Sequence, residues 1–370
     1  MQIRSHIESM PAYTPIEPFE VLSARLGRPP EAIIKLDANE NPYGPLPQVL
    51  QALAELPFVH IYPDPESRAL RRAIAGFLGV PVENILAGAG ADELIDLLMR
   101  VFVEPGDGVL ICPPTFGMYD FDGRLNNARV IEVPRGEDFS LDLPALRGVV
   151  ESERPKLLFL ATPNNPDGSL PDEAELEELL TLPTLVVLDE AYIEFADPQG
   201  SLGRSISRVG QVSQRRNLAV LRTFSKLAGL AGLRVGYGVF PDWLMPALWK
   251  AKQPYNVNVA ASTAAIAALQ HADQLTEIVR RLIAERERLA QALARYPFLS
   301  LYPSHANYLL MRVQGIEAAE LKRRLMVEYG ILVRYFSTPR LKDCIRISVG
   351  KPQDSDALLQ ALDEIAGEVL

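Results

Sequence analysis

The chain has little cysteine, little histidine and no long apolar run, and each shortage removes a class of protein. Its two cysteines, Cys112 and Cys344, are too few among 370 residues for a disulfide framework and lack metal-ligand spacing. Both read as small buried residues. The four histidines, His6, His60, His271 and His305, are scattered, and no two share a helical face at ligand spacing, so no metal is expected. No stretch of about 18 apolar residues occurs. Met1 to Phe19 has no basic start followed by an apolar core. Neither a membrane span nor a secretory signal is expected, and the default location is the cytoplasm. Basic charge is short as well: 37 Lys and Arg face 47 Asp and Glu, a net charge of -10. That balance argues against nucleic acid or an anionic membrane as a partner, so an anionic substrate would need local arginines.

What is present is a soluble, apolar-rich chain, 48% hydrophobic and 23% charged, long enough for one large domain and a smaller one. From about Lys35 to Val259 short apolar runs alternate with amphipathic segments, which predicts α/β architecture around a mostly parallel sheet. The strand candidates are Gly108 to Cys112, Val130 to Val133, Leu157 to Ala161, Leu185 to Leu188, Leu218 to Leu221 and Val235 to Phe240. Runs that are apolar throughout predict strands covered on both faces. Beyond Ala260, Thr276 to Arg295 has the spacing of a long amphipathic helix. Strands at Tyr308 to Met311, Ile331 to Val333 and Ile345 to Val349, with a helix around Ala318 to Tyr329, predict a small α+β domain. The expected division is an N-terminal arm (1–34), a large α/β domain (35–260) and a small α+β C-terminal domain (261–370).

The polar groups at the ends of three runs point to one cofactor. Lys226 sits in Arg222-Thr223-Phe224-Ser225-Lys226-Leu227-Ala228-Gly229, downstream of Asp189-Glu190-Ala191-Tyr192 and Asn164-Asn165-Pro166. Pyridoxal phosphate (PLP) needs an amine for its aldehyde, a carboxylate to keep its ring nitrogen protonated, donors for its phenolic oxygen and a grip on its phosphate. Lys226 supplies the amine and then a general base. Asp189 is placed to pair with the pyridinium, and Asn165 and Tyr192 to hydrogen-bond the ring oxygen. Ser225 and Arg234 offer one side of a phosphate site. Gly88-Ala89-Gly90-Ala91-Asp92-Glu93 offers the other, free backbone N–H groups at a helix N-terminus. Asn165, Asp189 and Lys226 each fall just past the carboxyl end of a predicted strand, where open sheets of this kind bind ligands.

These residues resemble the fold type I PLP-dependent aminotransferases, and the likeness covers nearly the whole chain. It includes Leu36-Asp37-Ala38-Asn39-Glu40-Asn41-Pro42-Tyr43-Gly44, Tyr62-Pro63-Asp64, Pro114-Thr115-Phe116-Gly117-Met118-Tyr119, and Asn307 with Arg334 and Arg346. The resemblance implies a Schiff base at Lys226, Asp189 at the pyridinium, and the backbone of Ala91 and Asp92 with Ser225 and Arg234 around the phosphate. It implies that Phe116 stacks on the cofactor ring. It also implies that Tyr62 reaches the phosphate in the neighbouring subunit, hence a homodimer with shared sites. Arg346, alternating with apolar neighbours, would clamp the α-carboxylate of glutamate; Arg334 would hold the distal anion of either substrate. Tyr13, Asn39 and Tyr255 are further candidates for the substrate pocket. The likeness runs closest to members of histidine biosynthesis, implying glutamate and histidinol phosphate as substrates. An aminotransferase for aromatic or other amino acids and a threonine-phosphate decarboxylase of the same fold stay open. Two positions depart from the family pattern: Asp167 stands where threonine is usual, and Ala228 where an aromatic is common.

Overall fold

The computed structural model describes residues 2–12 and 17–369. Its strands are β1 Ile34–Leu36, β2 Ile85–Gly88, β3 Gly108–Ile111, β4 Arg129–Glu132, β5 Leu157–Ala161, β6 Leu185–Asp189, β7 Leu218–Thr223, β8 Gly236–Val239, β9 Leu299–Leu301, β10 Tyr308–Val313, β11 Ile331–Tyr335 and β12 Cys344–Ser348. They form two sheets, ordered β2-β8-β7-β6-β5-β3-β4 and β1-β11-β12-β10-β9. In the larger sheet β8 runs antiparallel to both β2 and β7, and the remaining pairs are parallel.

The predicted double coverage of the central strands is observed. Every residue of β5, β6 and β7 is buried. Successive side chains enter different cores because a strand's side chains alternate faces. Leu158, Leu160, Val186 and Leu188 join one apolar cluster. Leu157, Phe159, Leu185 and Val187 join the other, with the helix Ala91–Phe102. The strands expected between 108 and 240 are all present, shifted by at most two residues at an end.

Three strands, β1, β2 and β9, were not suggested by the sequence pattern, and the first two have physical reasons for their silence. β2 is four residues long and runs into Gly88-Ala89-Gly90, so it reads as part of a turn. β1 is three residues long, yet it pairs in parallel with β11, Ile34 opposite Ile331. Leu22 of the helix Phe19–Leu26 packs with Ile33 and Leu332 in the same place. The boundary expected at 34/35 therefore falls inside a strand of the second sheet. The helices Ala272–Leu293, Ala318–Tyr329 and Pro352–Val369 cover that sheet through Leu289, Leu293, Leu321, Leu325, Leu358 and Leu362.

One buried carboxyl in the larger unit has no role in the site described below. Asp122, on the helix Met118–Leu125, is 4% exposed and its Oδ2 has no hydrogen-bond partner. Burial, with Asp96 and Asp92 nearby, pushes its pKa up to about 7. The folded chain thus keeps a proton that the unfolded chain releases near pH 4, and stability falls as pH rises through that window. Asp122→Asn is expected to stabilise the protein by about 1–2 kcal/mol at pH 8 and by much less at pH 5. Urea unfolding of both chains at the two pH values measures it.

Candidate active site

Three adjacent parallel strands end at one cavity, and a polar group closes or follows each. After β5 the chain turns through Asn164-Asn165-Pro166-Asp167-Gly168. β6 ends on Asp189, and β7 ends on Thr223, leading into the single helical turn Phe224–Leu227 that carries Lys226. Lys226, Asp189, Asn165, Tyr192, Ser225 and Phe116 all line this cavity, as do Ala91, Asp92 and Arg234 at its far end.

At the inner end Asp189 accepts a hydrogen bond from the Tyr119 hydroxyl on Oδ2 (2.7 Å) and one from the Ala191 N–H on Oδ1 (3.1 Å). Burial raises its pKa to about 6; those two donors and Lys226 hold it from rising further. Above that pH it is a fixed anion with lone pairs still free.

At the outer end the helix Ala91–Phe102 opens behind Gly90, whose φ of 84° suits a residue without Cβ. A Cβ there would lie 2.7 Å from Arg234 Nη2. Arg234, itself in a left-handed backbone (φ 54°), donates to Asp92 Oδ2 at 2.7 Å. Ser225 Oγ lies 2.9 Å from Thr223 Oγ1. First-turn N–H groups without intrahelical partners, a guanidinium and a hydroxyl make a cradle for a phosphate. The donor set fits a group with an anion at one end, a cationic ring nitrogen at the other and an aldehyde between.

Lys226 lines the same cavity. Its Nζ donates to the Ala38 carbonyl at 3.1 Å and sits 5.8 Å from the Tyr192 ring centroid. Ala38 belongs to the segment leaving β1, which is stitched to the site at Asp37, Ala38, Asn39 and Asn41. Arg346 Nη2 donates to Asp37 O (3.1 Å), Asn39 Nδ2 to the Tyr192 hydroxyl (3.1 Å), and Asn41 Nδ2 to Leu227 O (2.9 Å). Gly229 packs here so closely that a Cβ would fall 2.6 Å from the Gly44 carbonyl.

The second sheet contributes the cations. Arg334 on β11 and Arg346 on β12 stand directly opposite in register, and both guanidinium carbons lie 5.6 Å from the Phe336 ring centroid. Arg346 is buried, donates to Asn165 Oδ1 at 2.5 Å and leaves Nε without a partner. Two like charges facing across strands destabilise the pair unless an anion joins them, and the free Nε is a donor for one.

Among the remaining candidates, Tyr62 and Tyr255 lie elsewhere, stacked on each other at 4.8 Å on the surface, with Tyr62 80% exposed. Tyr13 lies outside the described residues. Asp167, the departure from threonine, is buried and accepts from Asn164 Nδ2 (2.5 Å) and the Ser169 N–H (2.8 Å), so it closes the turn that carries Asn165. Ala228 is buried within the core; nothing in the structure explains its replacing an aromatic. Sequence reasoning missed Thr223 and Tyr119. Tyr119 follows Phe116 by one helical turn, a spacing that reads equally as core and gave no separate signal.

The chain belongs to the class I and II aminotransferase family, whose sequence profile matches residues 31–362. It is similar to the chloroplastic histidinol-phosphate aminotransferase of Nicotiana tabacum, 53% identical over 361 residues, covering 97% of this chain and 86% of that one. It is 51% identical over 371 residues to the histidinol-phosphate aminotransferase of Roseiflexus castenholzii, covering 98% of each. A solved structure of histidinol-phosphate aminotransferase from Sinorhizobium meliloti in complex with pyridoxal-5'-phosphate superposes with a TM-score of 0.89 at 31% identity, covering 100% of this chain and 98% of that one.

Proposed function

We propose that the protein binds PLP and transfers an amino group between glutamate and imidazole acetol phosphate, yielding 2-oxoglutarate and histidinol phosphate in histidine biosynthesis. The observation that carries this reading is a single cavity lined together by a buried carboxylate, a phosphate cradle and a lysine amine. The Arg334 and Arg346 pair adjoins it through Asn165. The three relatives above support the choice of substrate.

When bound, the cofactor supplies an electron sink for the bond broken at the substrate's α carbon. Asp189 holds a negative charge against its ring nitrogen, and Asn165 and Tyr192 donate toward its phenolic oxygen. Phe116 walls one side of the cavity. Ser225, Arg234 and the N–H groups of Ala91 and Asp92 hold the phosphate. Lys226 would provide the amine that anchors the cofactor and, once displaced, the base that carries the substrate's α proton to the cofactor carbon. Arg346 grips the α-carboxylate of glutamate, and Arg334 the distal carboxylate or the phosphate of the second substrate. Asn39 fixes the Tyr192 hydroxyl.

The test is to add glutamate or histidinol phosphate separately to the PLP-loaded protein and follow the cofactor absorbance. Conversion by both is expected. Conversion by glutamate but not by histidinol phosphate would replace this reading with a different aminotransferase. Carbon dioxide release from threonine phosphate would replace it with a decarboxylase.

A homodimer completes the proposal. Phe58, Val59, Ile61 and Tyr62 are 54–80% exposed in one short segment, an apolar patch of the sort that marks an interface. Val59→Asp with Ile61→Asp is expected to weaken self-association by roughly a hundredfold, since burying each side chain is worth about 1.5–3 kcal/mol. Sedimentation equilibrium measures it. We also read the protein as cytoplasmic, supported by two free, buried cysteines that suit a reducing compartment. No helix among the described residues is long and apolar enough to cross a membrane.

A further inference from the structure

We propose that Tyr119 is a positioning residue for this reaction: its hydroxyl fixes the orientation and charge of Asp189 while its ring braces Phe116 against the same cavity. The inference rests on the PLP reading above and deepens it. Tyr119 is fully buried, stacked on Phe159 at 5.1 Å and edge-to-face with Phe116 at 5.6 Å. Its one side-chain polar atom donates to Asp189 Oδ2 at 2.7 Å. Phenylalanine would fill nearly the same volume without a hydroxyl to desolvate, so the partner accounts for the choice. With the Ala191 N–H on Oδ1, the carboxylate is held at both oxygens and is not free to rotate. Asp189 could otherwise turn either lone-pair face to the ring nitrogen, or take up a proton in its buried setting.

The groups around Asp189 define how the loss of this bond is read out. Lys226 from the turn after β7 favours the anion, and Asp92 from the helix Ala91–Phe102 opposes it. Tyr192 and Tyr308 are the neighbouring phenols. Removing the Tyr119 hydroxyl takes away a donor that lowers the carboxyl's pKa, so Asp189 would ionise at higher pH. The effect on cofactor binding is therefore largest on the acid side.

The experiment titrates PLP into the apo forms of the parent chain, Tyr119→Phe, Asp189→Asn and the double variant at pH 6, 7 and 8, reading the cofactor absorbance. Near-ultraviolet circular dichroism checks the fold of each. Tyr119→Phe is expected to bind about tenfold more weakly at pH 6, one unit of pKa being a factor of ten, and less so at pH 8. In the Asp189→Asn background the same change is expected to matter by less than twofold. An unchanged pH profile in Tyr119→Phe, or an equal loss in the Asp189→Asn background, would overturn the proposal and leave Tyr119 as packing. Failure of the parent chain to bind PLP at all would overturn the functional reading itself. If Tyr119→Phe does not fold, 13C labels at the tyrosine Cζ atoms serve instead. Asp189→Asn must then shift a buried tyrosine resonance, and no shift overturns the proposal.

Discussion

Lys226→Ala is expected to lower turnover by about four orders of magnitude or more while leaving the fold intact. General base catalysis alone contributes 10²–10⁴, and the covalent anchor is lost as well. The side chain makes one hydrogen bond, to the Ala38 carbonyl, so its removal exposes no buried partner that water or a shifted neighbour cannot satisfy. Thermal unfolding should move by no more than a few degrees. The phosphate cradle and the two hydrogen-bond donors to Asp189 are untouched, so PLP should still bind, reversibly and without the spectrum of the lysine adduct. Single-turnover absorbance with histidinol phosphate distinguishes slow chemistry from absent cofactor. A variant retaining parental turnover would remove the basis for the proposed reaction.

Arg346→Ala is expected to lower kcat/KM for glutamate by 10²–10³. Truncating one member of a buried charged hydrogen-bonded pair costs about 2–5 kcal/mol. Part of that loss is indirect here, because Arg346 also holds Asn165 Oδ1 and the Asp37 carbonyl. Arg346→Lys should recover little, since a point charge does not reproduce the planar fork that makes both contacts. Steady-state kinetics with each substrate measures the effect. An alanine variant with parental kcat/KM for glutamate would show that the carboxylate is held elsewhere.

The legible part of this site is the part governed by strand ends. Leu185-Val186-Val187-Leu188 is apolar without interruption and then stops at Asp189; likewise Leu157 to Ala161 stops before Asn164-Asn165. A doubly covered strand has few reasons to end on a polar residue other than a ligand or a cap, so Asp189, Asn165 and Lys226 were visible in advance. Tyr119 was not, because an aromatic one turn from Phe116 on a short amphipathic helix has the spacing of core. Its function lies in a single hydroxyl whose partner is 70 residues away. The facing of Arg334 and Arg346 depends on the register of β11 against β12, which the eleven intervening residues do not fix. β1 was hidden by its length, since three residues carry no measurable period.

The pairing of β1 with β11 has a consequence for synthesis. Residues Ile34–Leu36 leave the ribosome well before their ladder partners, which begin only at Ile331. Until then the segment that must later present Ala38 and Asn39 has no edge to join. Such long-range closure is slow. The larger sheet, whose strands span 85–239, can assemble while translation continues; the cavity gains its roof only after Ile331–Tyr335 is made.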